Sequence, residues 1–427
     1  MNDTEANLVS RIFLVEKSEY KVTGVSFLLA FLLMLSYYIL RPVRDGMASD
    51  WSDLEVSFMW NINFFISAAL VAIYGFAASK INIKFLVPSV YTLFSASFIA
   101  YYFGSILVAD HALLDKMFYI WVSVFSLFHV SVFWSLMSDT FNKEQAKRLF
   151  AIIAAGASLG AISGSGFTTL FAQALGVDML MLIASCGLLI VVPLTFYIYR
   201  LKSIALHNED ITDELNMAKL GGHWWHGFKT VTTSPYLMSI VIFLILYTFV
   251  ASFIYFEQKN LLAEYTRAER TQILGGIDWI VNTLTFYVAF FGTSRIVRRF
   301  GMPITLALLP GIIAVALLIL AFAPMLTVLL ALQVARRSGN YAITRPAREM
   351  LFTEVSQEER FKAKPVIDVV LYRGGDALSS LAFAGLTQGL GLGLAAVALV
   401  GAGIASLWAW AGIRLGRKYE RRMTSRE

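Results

Sequence analysis

The sequence predicts an all-α membrane protein with twelve transmembrane helices. Of its 427 residues, 58% are hydrophobic and only 15% are charged, and the mean hydropathy is +0.67. A soluble fold of this size cannot bury that much apolar surface, because much of its accessible area must face water. The apolar residues also form continuous segments near the ~20 residues that a helix needs to cross a bilayer. Continuous apolarity predicts helices, since the strands of a membrane barrel alternate apolar and polar residues.

The predicted spans divide into two groups of six. The longest polar stretch, residues 201–234, separates an N-terminal half at 1–200 from a C-terminal half at 235–427. Near the end of this linker, His223 to His226 enclose a tryptophan pair, which we interpret as an amphipathic segment at the headgroup level rather than a metal site. The predicted spans cover residues 21–41, 56–78, 84–108, 116–138, 149–173, 178–200, 235–257, 270–293, 303–323, 325–345, 362–388 and 392–413.

The distribution of Lys and Arg predicts the orientation. Apart from five arginines at membrane level, 26 of these residues fall on one side of the predicted bilayer and four on the other. Cytoplasmic loops carry the excess of basic residues, so we expect both termini in the cytoplasm. The same asymmetry accounts for the pI of about 9.2, and we therefore expect no nucleic-acid partner. The four outer residues are Lys116, Lys259, Arg267 and Arg270.

Glycines at four-residue spacing predict close helix packing at two places. Such ladders let backbones approach one another where lipid supplies no hydrophobic driving force. One ladder lies on span five, and the other at the end of span eleven and the turn beyond it. Their members are Gly156, Gly160, Gly164 and Gly385, Gly389, Gly393.

Ionisable residues inside the predicted spans are the candidate functional residues. Each costs several kcal/mol in lipid unless it pairs or faces a wet cavity. Two interpretations remain open. The charges form structural ion pairs, as Arg373 with Asp376 or Arg41 with Asp45, or they line a polar pathway. The charged set contains Arg41, Arg44, Arg336, Arg337 and Arg373 against Asp45, Glu257, Asp278, Asp368 and Asp376.

This balance of five against five does not indicate a net positive cavity, but every cation in the set is arginine. Arginine matches phosphate and carboxylate groups with a planar fork of donors. Asn340 lies one helical turn beyond Arg336 and shares its face. We therefore take Arg41, Arg44, Arg336, Arg337, Asn340 and Arg373 as candidate substrate-binding residues. Candidates for charge balance or proton coupling are Asp45, Glu257, Asp278, Asp376 and His129, although a histidine within a span is also commonly just a hydrogen-bonding residue.

Motifs for other functions are missing from the sequence. It has no G-x-x-x-x-G-K-[ST] loop and no H-E-x-x-H motif, and its single cysteine excludes a cysteine cluster. We therefore expect neither an enzyme nor a cofactor or metal site.

Several stretches resemble a known family. The two-half plan and the basic loop Gly292–Arg299 are similar to the major facilitator superfamily. More narrowly, the chain resembles the ATP/ADP antiporters (NTP/NDP exchange transporters), and most closely their shorter relatives in free-living bacteria. The stretches that carry this resemblance are 37–45, 134–139 with 147–150, 337–341 with 345–349, and 368–376.

The resemblance implies a major-facilitator fold in a bacterial inner membrane. It also implies that Arg41 and Arg44 serve substrate phosphates, with Glu257 and Arg373 as counterparts of later charged positions. The established nucleotide carriers are longer, and they usually have lysine where this chain has arginine.

We therefore predict a secondary active transporter that moves an organic anion by alternating access, with nucleotide exchange as one candidate activity. The expected partners are an anionic small molecule and the lipid bilayer, and we expect a monomer. The alternatives are a proton-coupled carrier or exporter of another small solute, and a membrane protein without transport activity.

Overall fold

The described part of the chain is helical and contains no β-strand. The computed structural model describes residues 15–16, 18–206, 226–291, 293–356, 363–364 and 366–424. Most of the predicted linker, including His223 and the tryptophan pair, lies outside the described residues.

The helices follow the predicted apolar segments. The first five are α1 (Tyr20–Met47), α2 (Asp53–Lys80), α3 (Ile83–Leu107), α4 (Ala112–Thr140) and α5 (Lys143–Leu201). The next four are α6 (His226–Thr233), α7 (Pro235–Leu262), α8 (Arg267–Phe291) and α9 (Thr293–Phe322). The last four are α10 (Leu326–Gly339), α11 (Arg345–Leu351), α12 (Tyr372–Ala384) and α13 (Leu394–Thr424). Single π-helical stretches occupy Asn340–Thr344, Val366–Leu371 and Gly385–Gly389.

Local signals explain several helix boundaries. Asn142 and Gln145 form a reciprocal capping box at the start of α5. Ser234 caps α7 ahead of Pro235, which occupies the first helical turn where its missing N–H is not needed. Gly176 divides α5 at a φ of 77°, a left-handed conformation that favours glycine, and it falls between the predicted spans 149–173 and 178–200.

Eight helices in the described residues are long and apolar enough to cross a membrane. Because α5 is divided at Gly176, this set covers nine of the predicted spans. The helical runs of α8, α10–α11 and α12 fall outside it, since they are shorter or contain several charged and polar residues. The chain is thus a multi-pass membrane protein, whereas the count of twelve spans stays a prediction.

One of the two predicted glycine ladders packs closely. A Cβ atom on Gly156, Gly160 or Gly164 of α5 would collide with the backbone carbonyl oxygens of three α1 residues, namely Phe27, Phe31 and Leu35. The prediction for the second ladder was wrong. A Cβ atom on Gly385, Gly389 or Gly393 would meet no other atom of the described residues within 4 Å.

A different pair of glycines brings two later helices together. Gly416 of α13 lies against the backbone of Pro303, and Gly412 against the carbonyl of Leu306, both on α9. Their spacing of four matches that of the first ladder, and it was not recognised from the sequence.

The chain forms two compact units. Within the described residues, the first unit draws on Met1–Met47, Phe65–Leu220 and Thr266–Trp279. The second draws on Ala48–Phe64, Gly221–Tyr265 and Ile280–Glu427. Helices α2 and α8 therefore contribute one section to each unit. The predicted domain boundary in 201–234 stays a prediction, because this linker lies mostly outside the described residues.

Candidate functional site

The first unit gathers four of the predicted residues into one cluster, which we call the first charged cluster: Arg41, Arg44, Asp45 and Asp278. Arg41 approaches Asp45 at 3.7 Å and Asp278 at 3.6 Å. Arg44 donates to Asp45 Oδ1 from both Nε, at 2.9 Å, and Nη2, at 2.6 Å. Each arginine therefore lies beside at least one carboxylate, and the cluster is close to charge-neutral.

Helix α1 positions this cluster. The predicted span ended at Arg41, but the helix continues through Pro42 to Met47, so that Arg41 and Asp45 are one turn apart. Helix α4 completes the surroundings: Arg44 Nη1 donates to Ser123 Oγ at 3.2 Å, and its guanidinium lies 5.5 Å from the ring centroid of Tyr119. The predicted Arg41–Asp45 pair is confirmed, whereas Asp278 reaches Arg41 from α8 through the fold.

His129 lies within the first unit among aromatic rings. Its imidazole stacks on Tyr37, with centroids 4.4 Å apart, and lies 5.0 Å from Phe125. Its Nδ1 is 2.9 Å from the carbonyl oxygen of Phe125, and the side chain is 3% exposed. Among the described residues, its buried Nε2 has no hydrogen-bond partner. Tyr37 precedes Arg41 by one helical turn, so this ring stack and the first charged cluster lie along the same face of α1.

The second unit contains a second charged cluster, defined by Gln258, Gln333, Arg336, Asn340, Arg373 and Asp376. Arg336 donates to Gln333 Oε1 from Nε at 2.9 Å and from Nη2 at 2.6 Å. Gln333 Nε2 donates in turn to Gln258 Oε1 at 2.6 Å. The side chains of these three residues are all at most 8% exposed. Among the described residues, Arg336 is therefore hydrogen-bonded to the neutral amide of Gln333 rather than to a carboxylate.

Two tyrosines connect the rest of this cluster. Asn340 Nδ2 donates to the hydroxyl of Tyr247 at 3.1 Å, and the ring of Tyr247 lies 6.3 Å from that of Tyr372. The adjacent Arg373 pairs with Asp376 at 3.8 Å, as their spacing of three predicted.

Arg337 and Glu257 are also buried in the second unit, with exposed fractions of 7% and 1%. The Oε1 atom of Glu257 has no hydrogen-bond partner among the described residues. Asp368, which the sequence placed with the intramembrane acids, lies 3.1 Å from Arg348. It belongs to a separate group in which Lys364 contacts Glu349.

Some cations predicted to lie outside the membrane are buried. Lys259 is 4% exposed, pairs with Asp53 at 2.8 Å and donates to the carbonyl oxygen of Trp51 at 2.6 Å. Arg270 is 6% exposed and donates to the carbonyl oxygen of Gly46 at 3.4 Å. Arg267, by contrast, is 42% exposed in its pair with Asp115. Tertiary contacts thus bury the side chains of Lys259 and Arg270.

Sequence reasoning missed the two glutamines of the second charged cluster as site residues. Gln258 directly follows the candidate Glu257, and Gln333 lies three residues before Arg336 on the same helical face. Amide side chains within strongly apolar spans were the available signal. Among the described residues, no group of three or more His, Cys, Asp or Glu is arranged to hold a metal ion.

Comparisons with known proteins agree with this architecture. The Major Facilitator Superfamily profile matches residues 26–359. The ADP,ATP carrier protein 1 of Chlamydia trachomatis is 23% identical over 294 residues, which cover 60% of this chain and 55% of that protein. Its counterpart in Chlamydia pneumoniae is 22% identical over 293 residues, with 60% and 57% covered. The chain thus spans little more than half the length of these curated relatives.

Solved structures of transporters share the fold. The nucleoside transporter NupG (D323A mutant) superposes with a TM-score of 0.61 at 17% identity, covering 93% of this chain and all of the other. A bacterial homologue of the human lysosomal transporter Spinster gives 0.58 at 14% identity, with 96% and 99% covered. The xylose transporter XylE from E. coli gives 0.57 at 11% identity, with 92% and 97% covered. At these identities the likeness concerns the fold alone.

Proposed function

The chain belongs to the Major Facilitator Superfamily, and from this premise we propose that it is a secondary active transporter, rather than an enzyme, that moves an organic anion by alternating access. The observation that carries the anionic substrate is the burial of arginine within the helices. Arg336 and Arg337 are 8% and 7% exposed on α10. Buried guanidinium groups in a membrane protein are costly unless they serve a partner or a ligand, and they match carboxylate and phosphate geometry.

In this proposal six residues bind the substrate: Arg41, Arg44, Arg336, Arg337, Asn340 and Arg373. Asp45 and Asp278 balance the charge of the first charged cluster, which their distances of 2.6–3.7 Å to arginine support. Asp376 does the same for Arg373, while Glu257 and His129 supply buried titratable groups.

A nucleotide is one candidate within the class of organic anions. Its support is the similarity to the two chlamydial ADP,ATP carriers, at 22–23% identity over 60% of this chain. We also propose twelve spans in two six-helix halves, a monomer in a bacterial inner membrane and cytoplasmic termini. The strongest support for this orientation is the bias of Lys and Arg in the sequence.

A ligand screen by thermal shift tests the substrate class. The purified protein in detergent is mixed with nucleotides, sugar phosphates and organic acids, with Arg373→Ala as the paired variant. Binding to the folded state raises Tm by mass action. We expect at least one organic anion to stabilise the wild type and to lose this effect in the variant. Stabilisation by uncharged solutes alone contradicts the proposal.

Glu257 favours a second candidate function, a proton-coupled carrier or exporter. Its carboxyl group is 1% exposed, and its Oε1 has no hydrogen-bond partner among the described residues. A buried carboxyl group in this setting is suited to binding and releasing a proton during a transport cycle. Uptake into liposomes with and without an imposed pH gradient separates the two functions. Dependence on the gradient that is lost in Glu257→Gln supports proton coupling, and equal uptake in both conditions supports exchange.

A further inference from the structure

Two glutamines form a chain of hydrogen bonds that ends at Arg336 within the second unit. Gln258 lies in the last turns of α7, whereas Gln333 and Arg336 lie three residues apart on α10. The three side chains form a chain of hydrogen bonds of 2.6–2.9 Å, with exposed fractions of 5%, 3% and 8%. This chain of hydrogen bonds thus connects Arg336 on α10 to α7 through two neutral amides.

The neutral partner distinguishes Arg336 from other arginines in the two charged clusters. Arg41, Arg44 and Arg373 each lie within 4 Å of a carboxylate. Within the described residues, Arg336 forms no such ion pair. An amide oxygen accepts hydrogen bonds from the guanidinium group but leaves its positive charge in place. A carboxylate accepts the same hydrogen bonds and also neutralises the charge. The nearby carboxylate of Asp376 forms its ion pair with Arg373, at 3.8 Å.

The hydrogen bonds also determine which edge of the Arg336 guanidinium group faces Gln333. Arginine has donors only, so Gln333 must present its Oε1 to Nε and Nη2. The Nε2 of Gln333 then faces away and needs an acceptor, which Gln258 Oε1 supplies. Within the described part of the chain, the hydrogen bonds of Arg336 use Nε and Nη2, and its Nη1 remains for another acceptor.

We propose that Gln258 and Gln333 are positioning residues that hold Arg336, a cation without a directly bound carboxylate among the described residues, for an oxyanion of the substrate. The inference rests on the proposed transport of an organic anion and names its anchoring point. Gln333 aligns the guanidinium, and Gln258 fixes the orientation of the Gln333 amide. The oxyanion, a carboxylate or phosphate, binds at the Nη1 edge. A carboxylate at position 333 would supply the missing counter-charge from within the protein.

The variant Gln333→Glu tests this inference without any ligand. It keeps an acceptor for Nε and Nη2 and adds a negative charge beside a buried cation, while Gln258 turns its amide to donate Nε2 to the second carboxylate oxygen. We expect its Tm in detergent to rise by about 2 °C or more, because the buried charge gains its counter-ion. Gln333→Met, which keeps the length but loses both acceptors, should lower Tm. The matched control is Gln388→Glu at an exposed position of the same unit, for which we expect no change.

A binding measurement on the same variants completes the test. Thermal shift titrations use ATP, glucose 6-phosphate and citrate as probes. For any probe that stabilises the wild type, Gln333→Glu should weaken the apparent affinity at least tenfold although it stabilises the protein. A purely structural role would move stability and affinity in the same direction.

The possible failures are distinguishable. If no probe stabilises the wild type, the proposed substrate class fails for this panel. The Tm values of Gln333→Glu and Gln333→Met without ligand still test the role of the glutamines. If Gln333→Glu lowers Tm as Gln333→Met does, or binds a probe as tightly as the wild type, the role assigned to the glutamines is overturned. A loss of probe affinity in Gln258→Leu supports the orienting role of Gln258, and unchanged affinity removes it.

Discussion

The substitution Gly160→Ala should destabilise the protein because a methyl group has no room at this position. A Cβ atom there would overlap the carbonyl oxygen of Phe31 and lie 2.8 Å from its carbonyl carbon. These are backbone atoms of α1, which cannot rotate away as the end of a side chain can. The contact can be relieved only by moving α1 away from α5.

The size of the effect follows from two opposing terms. Overpacking costs about 1–3 kcal/mol, and the rigid backbone neighbour places Gly160→Ala near ~3 kcal/mol. Replacing a glycine within a helix by alanine returns about 1 kcal/mol of helix propensity. The net loss is therefore about 2 kcal/mol. With an unfolding entropy of about 2.1 cal/mol/K per residue, this loss lowers Tm by about 2 °C for a chain of this length.

The assay is thermal unfolding in detergent, with Gly403→Ala as the matched control. Gly403 lies within α13, and a Cβ atom on it would meet no other atom of the described residues within 4 Å. The control should be unchanged or slightly more stable, because it gains helix propensity without a collision. Equal Tm values for Gly160→Ala and the control would refute the packing argument.

Two further substitutions test the ion pair of Lys259 and the role of Arg373 in the site. Lys259→Met removes one partner of the buried pair with Asp53 and should lower the free energy of unfolding by about 3–5 kcal/mol. Lys364→Met, in a pair whose side chains are both 39% exposed, should lower it by less than about 1 kcal/mol. Equal losses for the two variants in chemical unfolding would contradict the burial argument. Arg373→Ala should reduce transport in liposomes to background while the helical circular dichroism signal is kept. The control Arg414→Ala, at an exposed position of α13, should transport normally. Transport at the wild-type rate by Arg373→Ala would remove this residue from the site.

Local patterns in the sequence predict most of the helices and the short-range ion pairs. Apolar runs of membrane length correspond to helices because only helices satisfy backbone groups within a single segment in lipid. The pairs Arg41–Asp45 and Arg373–Asp376 were predictable because residues three or four apart are neighbours on a helix. The break at Gly176 was predictable in position, since a short interruption separates two apolar runs.

Contacts between distant residues were not predictable in this way. Asp278 approaches Arg41 from α8, and Gln258 reaches Gln333 from α7. No spacing rule relates residues so far apart in sequence. The two glycine ladders make the same point. They have equal spacing, but only that of α5 has a helix backbone against it, and which helix lies opposite is decided by the fold.

Counterflow in proteoliposomes tests the central claim most directly. Vesicles that contain the purified protein are loaded with an organic anion, either ATP or a second anion identified in the ligand screen. Uptake of the labelled compound is then compared between the wild type and Arg336→Ala, with Gln388→Glu as the folded control. We predict counterflow by the wild type and the control, and uptake at the level of empty vesicles for Arg336→Ala at an unchanged helical content. Wild-type uptake by Arg336→Ala, or counterflow of uncharged solutes only, would contradict the assignment of this protein as an anion transporter anchored on Arg336.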